Sequence, residues 1–387
     1  MKILRHHTSR ILASAAFVAF LSGFALFTAC RPTHSKPPYG SGDTLTMKYA
    51  RLLTIVKHAS YTVVTVANPW KEGQTLHTYI LVDRHRTLPA HLPKGTVVRT
   101  PLQRNVVFTT VHCSLMMALE QQKSIVGVTE LRYIKIPWIQ EQARKGVIAD
   151  CGEGMNPAIE RIIHLHPEAL LLSPFENSGG YGKLEDLGVP LIECADYMES
   201  SPLGRAEWMK FYGMLTGAEA KADSLFAVVD STYNALTGSV AHRSDRPSVL
   251  MDKMMGTVWY VPGGESTIGR LITDAGGNYV FRNERRSGSI SMPFESILAK
   301  AGTADIWLFR YDNDRPMTYP QLRSEYAGYD RLAAFRNRKV YACNVRQTLF
   351  YEETPFRPDR LLRNMISIFH PGALPTASND YYLPLNP

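Results

Sequence analysis

The sequence predicts an α/β protein of two similar lobes joined by one long helix, with a ligand cleft between the lobes and β-hairpins at the N-terminal end. The first observation is a faint duplication, in which a Glu-led helical pattern followed by an apolar strand occurs at 157–172 and again at 293–309. The second is that strand and helix patterns alternate in each half, as in parallel sheets. The third is the longest helical pattern of the chain, at 203–237, which lies between the halves. Two lobes enclose a cleft, and ligand sites favour such boundaries.

The N-terminal segment predicts export and attachment to a membrane. Three basic residues precede an uncharged apolar run at 11–27, which is followed by small residues and Cys30. This order is that of a secretory signal, and a Cys directly after the small residues resembles the lipobox of bacterial lipoproteins, which are cleaved before that Cys and lipidated on it. We therefore assign residues 1–29 to a lipoprotein signal peptide and the Pro- and Gly-rich residues 30–45 to a flexible tether. An uncleaved membrane anchor is the alternative, because the apolar run is close to the roughly 20 residues that span a bilayer.

Composition narrows the class of protein further. The chain has 387 residues, of which about 340 follow the tether, enough for two domains with sizeable cores. Its net charge of +8 is spread along the chain, so we expect no nucleic-acid partner. Besides Cys30 there are four cysteines, none of them in a close pair; we expect scattered buried thiols, with one disulfide as the alternative in an exported protein. We expect a monomer.

The elements predict three parts after the tether. Residues 46–200 form the N-terminal lobe, which begins with β-like runs separated by turn residues and continues as strand, helix, strand from Asn105. Residues 201–241 form the linking helix, where Gly213 and Gly217 are expected to bend or divide it. Residues 242–387 form the C-terminal lobe, which repeats the alternation of strands and helices and closes with a helix near 357–369.

From about 104 to 371, the order of elements resembles the substrate-binding proteins of ABC importers that capture iron complexes, haem and cobalamin. The strongest motifs are Ile159-Glu160-Arg161-Ile162-Ile163 with the following residues to Glu168, and the stretch from Gly263 to Gly277, GGESTIGRLITDAGG. The resemblance implies two Rossmann-like lobes joined by one long helix, an ABC importer permease as partner, and no enzymatic activity. The β-rich N-terminal part exceeds what this family usually carries.

The resemblance also implies a docking role for two carboxylates. In the family, a Glu at the head of one helix on each lobe binds Arg residues of the permease, and the matching positions here are Glu160 and Glu295. The alternative is that each carboxylate only complements the dipole of its helix, which is worth about 0.3–1 kcal/mol at an exposed site.

The ligand cleft is predicted from the loops that follow the carboxyl ends of the strands, the usual binding site of open α/β sheets. Aromatic and Arg residues dominate these loops, which suits a large, flat or partly anionic ligand. The candidates in the first lobe are His112, Arg132, Tyr133, Phe175 and Asn177, with Thr110, Cys113 and Glu176 beside them. The candidates in the second lobe are Trp259, Tyr260, Arg285, Arg286, Arg310, Tyr311, Phe350 and Tyr351.

The expected ligand is a metal chelate, with a ferric siderophore first and cobalamin or haem as alternatives. A bare metal site is not expected, because His164 and His166 lie at a helix end without a carboxylate or Cys to complete a ligand set. His112 is the candidate axial ligand if the cargo is haem. The rival class is an exported hydrolase. Its site would have to be dispersed along the sequence, because the chain contains neither a Gly-x-Ser-x-Gly elbow nor a His-Glu-x-x-His motif. We assign no catalytic residue and no resident cofactor.

Overall fold

A computed structural model describes residues 42–176, 180–376, 378 and 380–387. The signal peptide, residues 30–41 of the tether (Cys30 included) and Asn177 lie outside the described residues. Residues 43–387 form one compact unit. No helix in the described part of the chain is long and apolar enough to cross a bilayer.

The N-terminal part is a five-stranded sheet in the order β1-β2-β3-β4-β5. Its strands are β1 (Asp43–Leu45), β2 (Leu53–Lys57), β3 (Thr62–Ala67), β4 (Thr75–Asp83) and β5 (Thr96–Thr100). The first four pair antiparallel, as the turn residues between them predict, but β5 pairs parallel to β4 because residues 84–95 cross back before it. The predicted antiparallel hairpins are therefore found for β2, β3 and β4, whereas β1 lies in residues assigned to the tether and β5 adds a parallel strand that the pattern did not predict.

The N-terminal lobe continues with an all-parallel sheet in the order β12-β11-β6-β7-β8. Its strands are β6 (Asn105–Val107), β7 (Ile125–Val128), β8 (Ala149–Asp150), β11 (Ala169–Leu172) and β12 (Leu191–Glu193), and a hairpin of β9 (Gly152–Glu153) and β10 (Asn156–Pro157) follows β8. The helices of this lobe are α1 (Thr110–Ala118), α2 (Pro137–Arg144) and α3 (Ile159–His164).

The apolar pattern predicts a strand at 106–111 and a helix near 114–122, but helix α1 begins at Thr110, four residues earlier. The side chain of Thr109 caps it by accepting a hydrogen bond from the backbone N–H of His112. The predicted strand at 106–111 is correspondingly cut to three residues.

The linker is three helices in succession rather than one. These are α4 (Pro202–Glu207), α5 (Met209–Thr216) and α6 (Glu219–Val240). Gly217 separates α5 from α6, because it adopts a left-handed conformation at φ +74° that ends α5, whereas Gly213 lies within α5 and does not divide it. The 22-residue α6 is the longest part of the helical pattern that the sequence predicts.

The C-terminal lobe contains a second five-stranded sheet, in the order β16-β13-β18-β19-β20, in which only β20 is antiparallel. A three-stranded antiparallel sheet, β14-β15-β17, is formed by strands that lie between β13 and β18 in the sequence. The strands are β13 (Ser248–Met251), β14 (Met254–Met255), β15 (Val258–Pro262), β16 (Asn278–Tyr279), β17 (Ser289–Met292), β18 (Ile306–Tyr311), β19 (Val340–Asn344) and β20 (Leu383–Pro384). The helices are α7 (Thr267–Asp274), α8 (Phe294–Ala301), α9 (Tyr319–Glu325), α10 (Ala333–Arg336), α11 (Phe350–Glu353) and α12 (Pro358–Phe369).

One apolar core runs through both lobes and the linking helices. It includes the fully buried Trp208 and Phe211 of the linker and the fully buried Trp259 and Trp307 of the C-terminal lobe. Between the lobes, α11 packs on α1, and the Thr110 hydroxyl donates a hydrogen bond to Glu352. Lys135 of the first lobe also donates to the carbonyl of Val345 in the second. The two lobes are thus in direct contact on one side of the linker.

Candidate functional site: a cavity at the boundary of the lobes

The larger cavity, of about 720 Å³, lies at the carboxyl ends of the C-terminal lobe's parallel strands. Strand β13 leads into Asp252, β18 ends in Arg310 and Tyr311, and β19 is followed by Val345, all of which line the cavity. Parallel strands bring their carboxyl ends to one edge of a sheet, so residues distant in sequence meet there. The remaining lining residues are Lys253, Met255, Tyr260, Ser289, Asp312, Asn313, Met317, Glu325 and Tyr351.

A smaller cavity of about 180 Å³ lies between the lobes and shares Arg310 and Tyr351 with the larger one. From the N-terminal side it is lined by Val111 of α1 and by Pro202 and Arg205 of α4. From the C-terminal lobe it is lined by Thr267, Ile268, Leu271, Phe350, Thr354, Pro355, Pro358 and Leu361. We call it the inner pocket. Its walls are mostly apolar. Its two arginines are each paired with a carboxylate, Arg205 with Asp196 and Arg310 with Asp252.

Arg310 is the residue that the two cavities have in common. Its Nε and Nη2 donate to the carboxylate of Asp252 at 2.7–3.0 Å, in a bidentate pair. Burial opposes the charge of Arg310, but the Asp252 carboxylate outweighs burial and raises the pKa of the guanidinium. Arg310 is therefore a fixed cation at the junction of the cavities.

Aromatic rings surround this cation. Its guanidinium lies 5.7 Å from the ring centroid of Phe350 and 5.8 Å from that of Tyr351, within cation–π range. Tyr351 is 46% exposed and Tyr260 is 43% exposed, so both present ring surface to a ligand. Such exposed rings supply contact area at little cost in side-chain entropy.

Of the second-lobe candidates, the structure brings five to the cavities. Tyr260 and Tyr311 line the larger cavity, Phe350 lines the inner pocket, and Arg310 and Tyr351 line both. Trp259 requires a correction: it is fully buried against Trp307 and donates its indole N–H to the carbonyl of Met251. On β15, neighbouring side chains point to opposite faces, so Trp259 enters the core when Tyr260 faces the cavity. Arg285 and Arg286 are exposed and line neither cavity.

The first-lobe candidates that the structure describes lie outside both cavities. Arg132 stacks on Tyr133 at 4.7 Å and pairs with Glu153 at 3.1 Å, on the protein surface. Tyr133 is 58% exposed and Phe175 is 43% exposed. These residues stay predictions as ligand contacts.

His112 requires the second correction, because it is a core residue. Only 2% of it is exposed. Its Nε2 lies 2.9 Å from Asp196 Oδ1 and 3.0 Å from the Tyr212 hydroxyl, and its Nδ1 lies 2.5 Å from Thr109 Oγ1. Both ring nitrogens are thus engaged, which leaves none for the iron of a haem. Its neighbour Cys113 is fully buried as well, and burial raises the pKa of that thiol to about 12.

Sequence reasoning missed five charged residues of the site, Asp252, Lys253, Asp312, Glu325 and Arg205. Asp252 directly follows a predicted strand, and Lys253 follows it and pairs with Glu325 at 2.5 Å. Asp252 and Lys253 have the same signal as the predicted residues, a position directly after a strand, but neither is aromatic or Arg. Arg205 had no sequence signal, because it lies on a linking helix rather than after a strand.

The two carboxylates predicted for permease docking occupy equivalent positions. Glu160 is the second residue of α3 and Glu295 is the second residue of α8, and both are exposed. Glu295 has Arg331 at 3.4 Å, a pair in which both side chains are more than half exposed. The duplication seen in the sequence is therefore real at the level of helix position.

Cys113, Cys151, Cys194 and Cys343 are free thiols, buried at separate places. Among the residues that the structure describes, no three His, Cys, Asp or Glu side chains cluster so as to hold a metal ion.

Two α/β lobes in contact, with a small pocket between them that adjoins a larger aromatic and cationic cavity of the C-terminal lobe, suit a protein that binds a solute. Residues 106–346 match the family described as periplasmic binding protein, and the chain belongs to that family. It is a periplasmic solute-binding protein of the ABC-transporter type, and its family is one of binding proteins rather than enzymes.

Similar proteins include an uncharacterized lipoprotein of Methanocaldococcus jannaschii, 24% identical over 75% of this chain and 70% of the relative. A solved structure from Saccharomonospora viridis, described as an ABC-type Fe³⁺-hydroxamate transport system, is 19% identical with a TM-score of 0.53, over 70% of this chain and 94% of that one. The IsdE protein of Staphylococcus aureus, solved in complex with haem, is 20% identical with a TM-score of 0.53, over 69% of this chain and 98% of that one. At these identities the solved structures establish the shared fold.

Proposed function

We propose that this protein is the lipid-anchored substrate-binding component of an ABC importer that captures an iron complex, first of all a ferric siderophore, and delivers it to the permease. The fold is shared with proteins described as carrying Fe³⁺-hydroxamates or haem, which supports an iron complex as cargo. Attachment through Cys30 is supported by the lipobox-like sequence and by the lipoprotein from Methanocaldococcus jannaschii.

The single observation that carries the ligand class is the junction at Arg310. A fixed guanidinium with Tyr351 beside it, open to a cavity of about 720 Å³, suits a bulky chelate with conjugated or oxygen-rich faces. Haem is the second candidate. It is supported by the relative solved with haem, but not by His112, whose nitrogens are both engaged.

The test is isothermal titration calorimetry of the full chain in detergent with ferric siderophores, haem and cobalamin. We expect saturable binding of an iron complex at micromolar or tighter affinity. In the Tyr351→Ala variant, affinity should fall about tenfold, because a half-exposed ring that covers the ligand is lost. Lack of binding to every chelate, or turnover of one of them, contradicts the proposal and favours a different cargo or the hydrolase alternative.

Docking to the permease is tested by reversing the two charges. We expect Glu160→Lys with Glu295→Lys to abolish uptake of the iron complex and leave its affinity unchanged, because the two carboxylates lie on the lobes and not in the cavities. Uptake is measured with radiolabelled iron in cells that carry the variant. The matched control reverses two other exposed carboxylates, Glu72 and Glu120, and should preserve uptake. Uptake that persists in the first variant contradicts the docking assignment.

A further inference from the structure

The inner pocket differs from the larger cavity in its charge and its enclosure. It is small, its walls are apolar side chains such as Ile268 and Leu271, and arginines reach it from two sides: Arg205 from the linking helix α4 and Arg310 from the C-terminal lobe. Each of the two guanidinium groups is paired with one carboxylate, Arg310 with Asp252 and Arg205 with Asp196.

Within the described part of the chain, the Arg205 side chain is fixed by a hydrogen bond from a single nitrogen, its Nε. Its Nε donates to Asp196 Oδ2 at 3.0 Å, and no other hydrogen bond of its side chain is made to the described residues. Its side chain is 20% exposed, and that of Asp196 is 1% exposed. A guanidinium carries five N–H donors, so Arg205 retains donors that can serve a ligand.

The charge of Arg205 is only partly balanced. Asp196 also binds His112, whose Nε2 lies 2.9 Å from its other oxygen. Burial alone would lower the pKa of His112, but Cys194 and Asp196 outweigh burial and raise that pKa to about 10, so His112 is a second cation on the same carboxylate. One buried carboxylate thus serves two cations beside the pocket.

Two helices add to the positive potential. Thr267 and Ile268, the first two residues of α7, line the inner pocket from the C-terminal lobe, and Val111, the second residue of α1, lines it from the other side. First-turn N–H groups have no partner within their helix and carry partial positive charge. Glu352 directly follows the α11 residues that line the inner pocket, but it lines a different cavity, together with Arg357 and Arg360.

We propose that the inner pocket is an anion subsite that receives a carboxylate arm of the bound chelate between Arg205 and Arg310. This inference rests on the proposed function and narrows it: the cargo is a metal chelate with at least one free carboxylate, with the metal centre in the larger cavity and an apolar stem along Ile268 and Leu271. Both a carboxylate-type siderophore and the propionates of haem supply this chemistry, whereas the amide side chains of cobalamin do not.

The experiment compares matched pairs of chelates on the full chain in detergent. The probes are haem against haem dimethyl ester, and ferric citrate against ferrioxamine B, which has no carboxylate; affinities come from calorimetry. We expect at least tenfold tighter binding of the free acid in the pair that contains the natural class of ligand, and that pair distinguishes the two sources.

Three variants locate the effect. Arg205→Gln removes one guanidinium group from the pocket. Thr267→Glu instead places a negative charge at the pocket, at a helix N-terminus where Glu is favourable. It leaves the Arg205–Asp196 ion pair intact, so it tests the subsite even if Arg205→Gln prevents folding. Both should lose the preference for the free acid yet bind haem dimethyl ester, which has no free carboxylate, as before. Arg144→Gln, at an arginine that is 73% exposed on α2, should retain it.

The outcomes separate the two proposals. Equal binding of acid and ester, or a preference that survives both pocket variants, overturns the anion subsite and leaves the proposed function intact. Failure to bind any probe contradicts the proposed function and the subsite with it.

Discussion

At the scale of single residues, the least expected feature is the buried polar cluster around His112. His112, Asp196 and Tyr212 are each at most 2% exposed, and each is hydrogen-bonded to the other two at 2.9–3.0 Å. Burial opposes the charge of Asp196, but His112 and Arg205 outweigh burial and lower its pKa. Fully satisfied buried networks fix one arrangement of the groups around them, and this one fixes the position of Arg205.

The first prediction concerns His112 and pH. Its pKa is raised to about 10 in the folded protein, above the value of about 6.5 in an unfolded chain, so its contribution to stability is complete below pH ~6.5 and is lost as pH rises through about 10. We expect His112→Gln to cost about 3–5 kcal/mol at neutral pH, because one partner of a buried ion pair is removed. Urea unfolding of both proteins from pH 6 to 10.5 measures the difference.

The control is His91→Gln, at an exposed His, which should change stability by less than ~0.5 kcal/mol. A cost of His112→Gln that does not shrink above pH 10 contradicts a buried imidazolium.

At the scale of elements, the N-terminal sheet is attached to the linker through buried carboxylates. Glu207 of α4 is fully buried and accepts hydrogen bonds from the backbone N–H groups of Lys48, Tyr49 and Ala50 at 2.7–2.9 Å. Glu199 accepts likewise from the next two residues of the segment and from the indole of Trp208. The segment that joins β1 to β2 is therefore bound to the linker.

The second prediction tests this attachment. In Glu207→Gln, an amide nitrogen replaces one of the two acceptors that face three N–H donors. We expect the free energy of unfolding to fall by about 3 kcal/mol, since hydrogen bonds to a charged group are worth about 1.5–3 kcal/mol each. Glu219→Gln is the control, because Glu219 is 51% exposed and pairs only with exposed Lys57, and it should cost less than ~1 kcal/mol. Equal losses in urea unfolding would refute a special role for Glu207.

The third prediction uses two glycines of the linker. Gly217 has φ +74°, and a Cβ on it would lie 3.0 Å from the Cβ of Pro101, so Gly217→Ala should cost about 1–2 kcal/mol. Gly238 lies exposed within α6 with open space around it, so Gly238→Ala should stabilise by about 0.5–1 kcal/mol. Thermal unfolding that shifts in the same direction for both variants would contradict the assigned break at Gly217.

At the scale of the whole molecule, the lobes are held together by more than the linker. Helix α11 packs on α1, α12 packs on α6, and Lys135 donates to the carbonyl of Val345 across the boundary. A boundary with a shared apolar core and cross-lobe hydrogen bonds resists large rotations of one lobe against the other.

The fourth prediction follows for ligand binding. We expect only small closure, so X-ray scattering curves of the free and ligand-saturated protein should nearly coincide, while calorimetry on the same samples shows saturation. A change in the radius of gyration that corresponds to a domain swing of tens of degrees would contradict a stiff linker.

Much of the fold was predictable from local pattern. The Glu-led helices at Glu160 and Glu295 were placed correctly because apolar spacing and helix-start residues are local signals. Trp259 and His112 were misplaced for the opposite reason. Burial depends on which face of a strand or turn of a helix meets the core, and that is set by partners far away in sequence.

By itself, therefore, the sequence determined the class of protein, two α/β lobes with a linker of helices, the order of the elements and the paired carboxylates at the heads of two helices. Only the tertiary structure decided which charges meet at the cavities. Arg310 finds Asp252 across adjacent strands, and Arg205 reaches the inner pocket because Asp196, 9 residues away, fixes its Nε. Secondary structure follows from short-range periodicity, whereas a binding site is made where distant strand ends and helix termini converge.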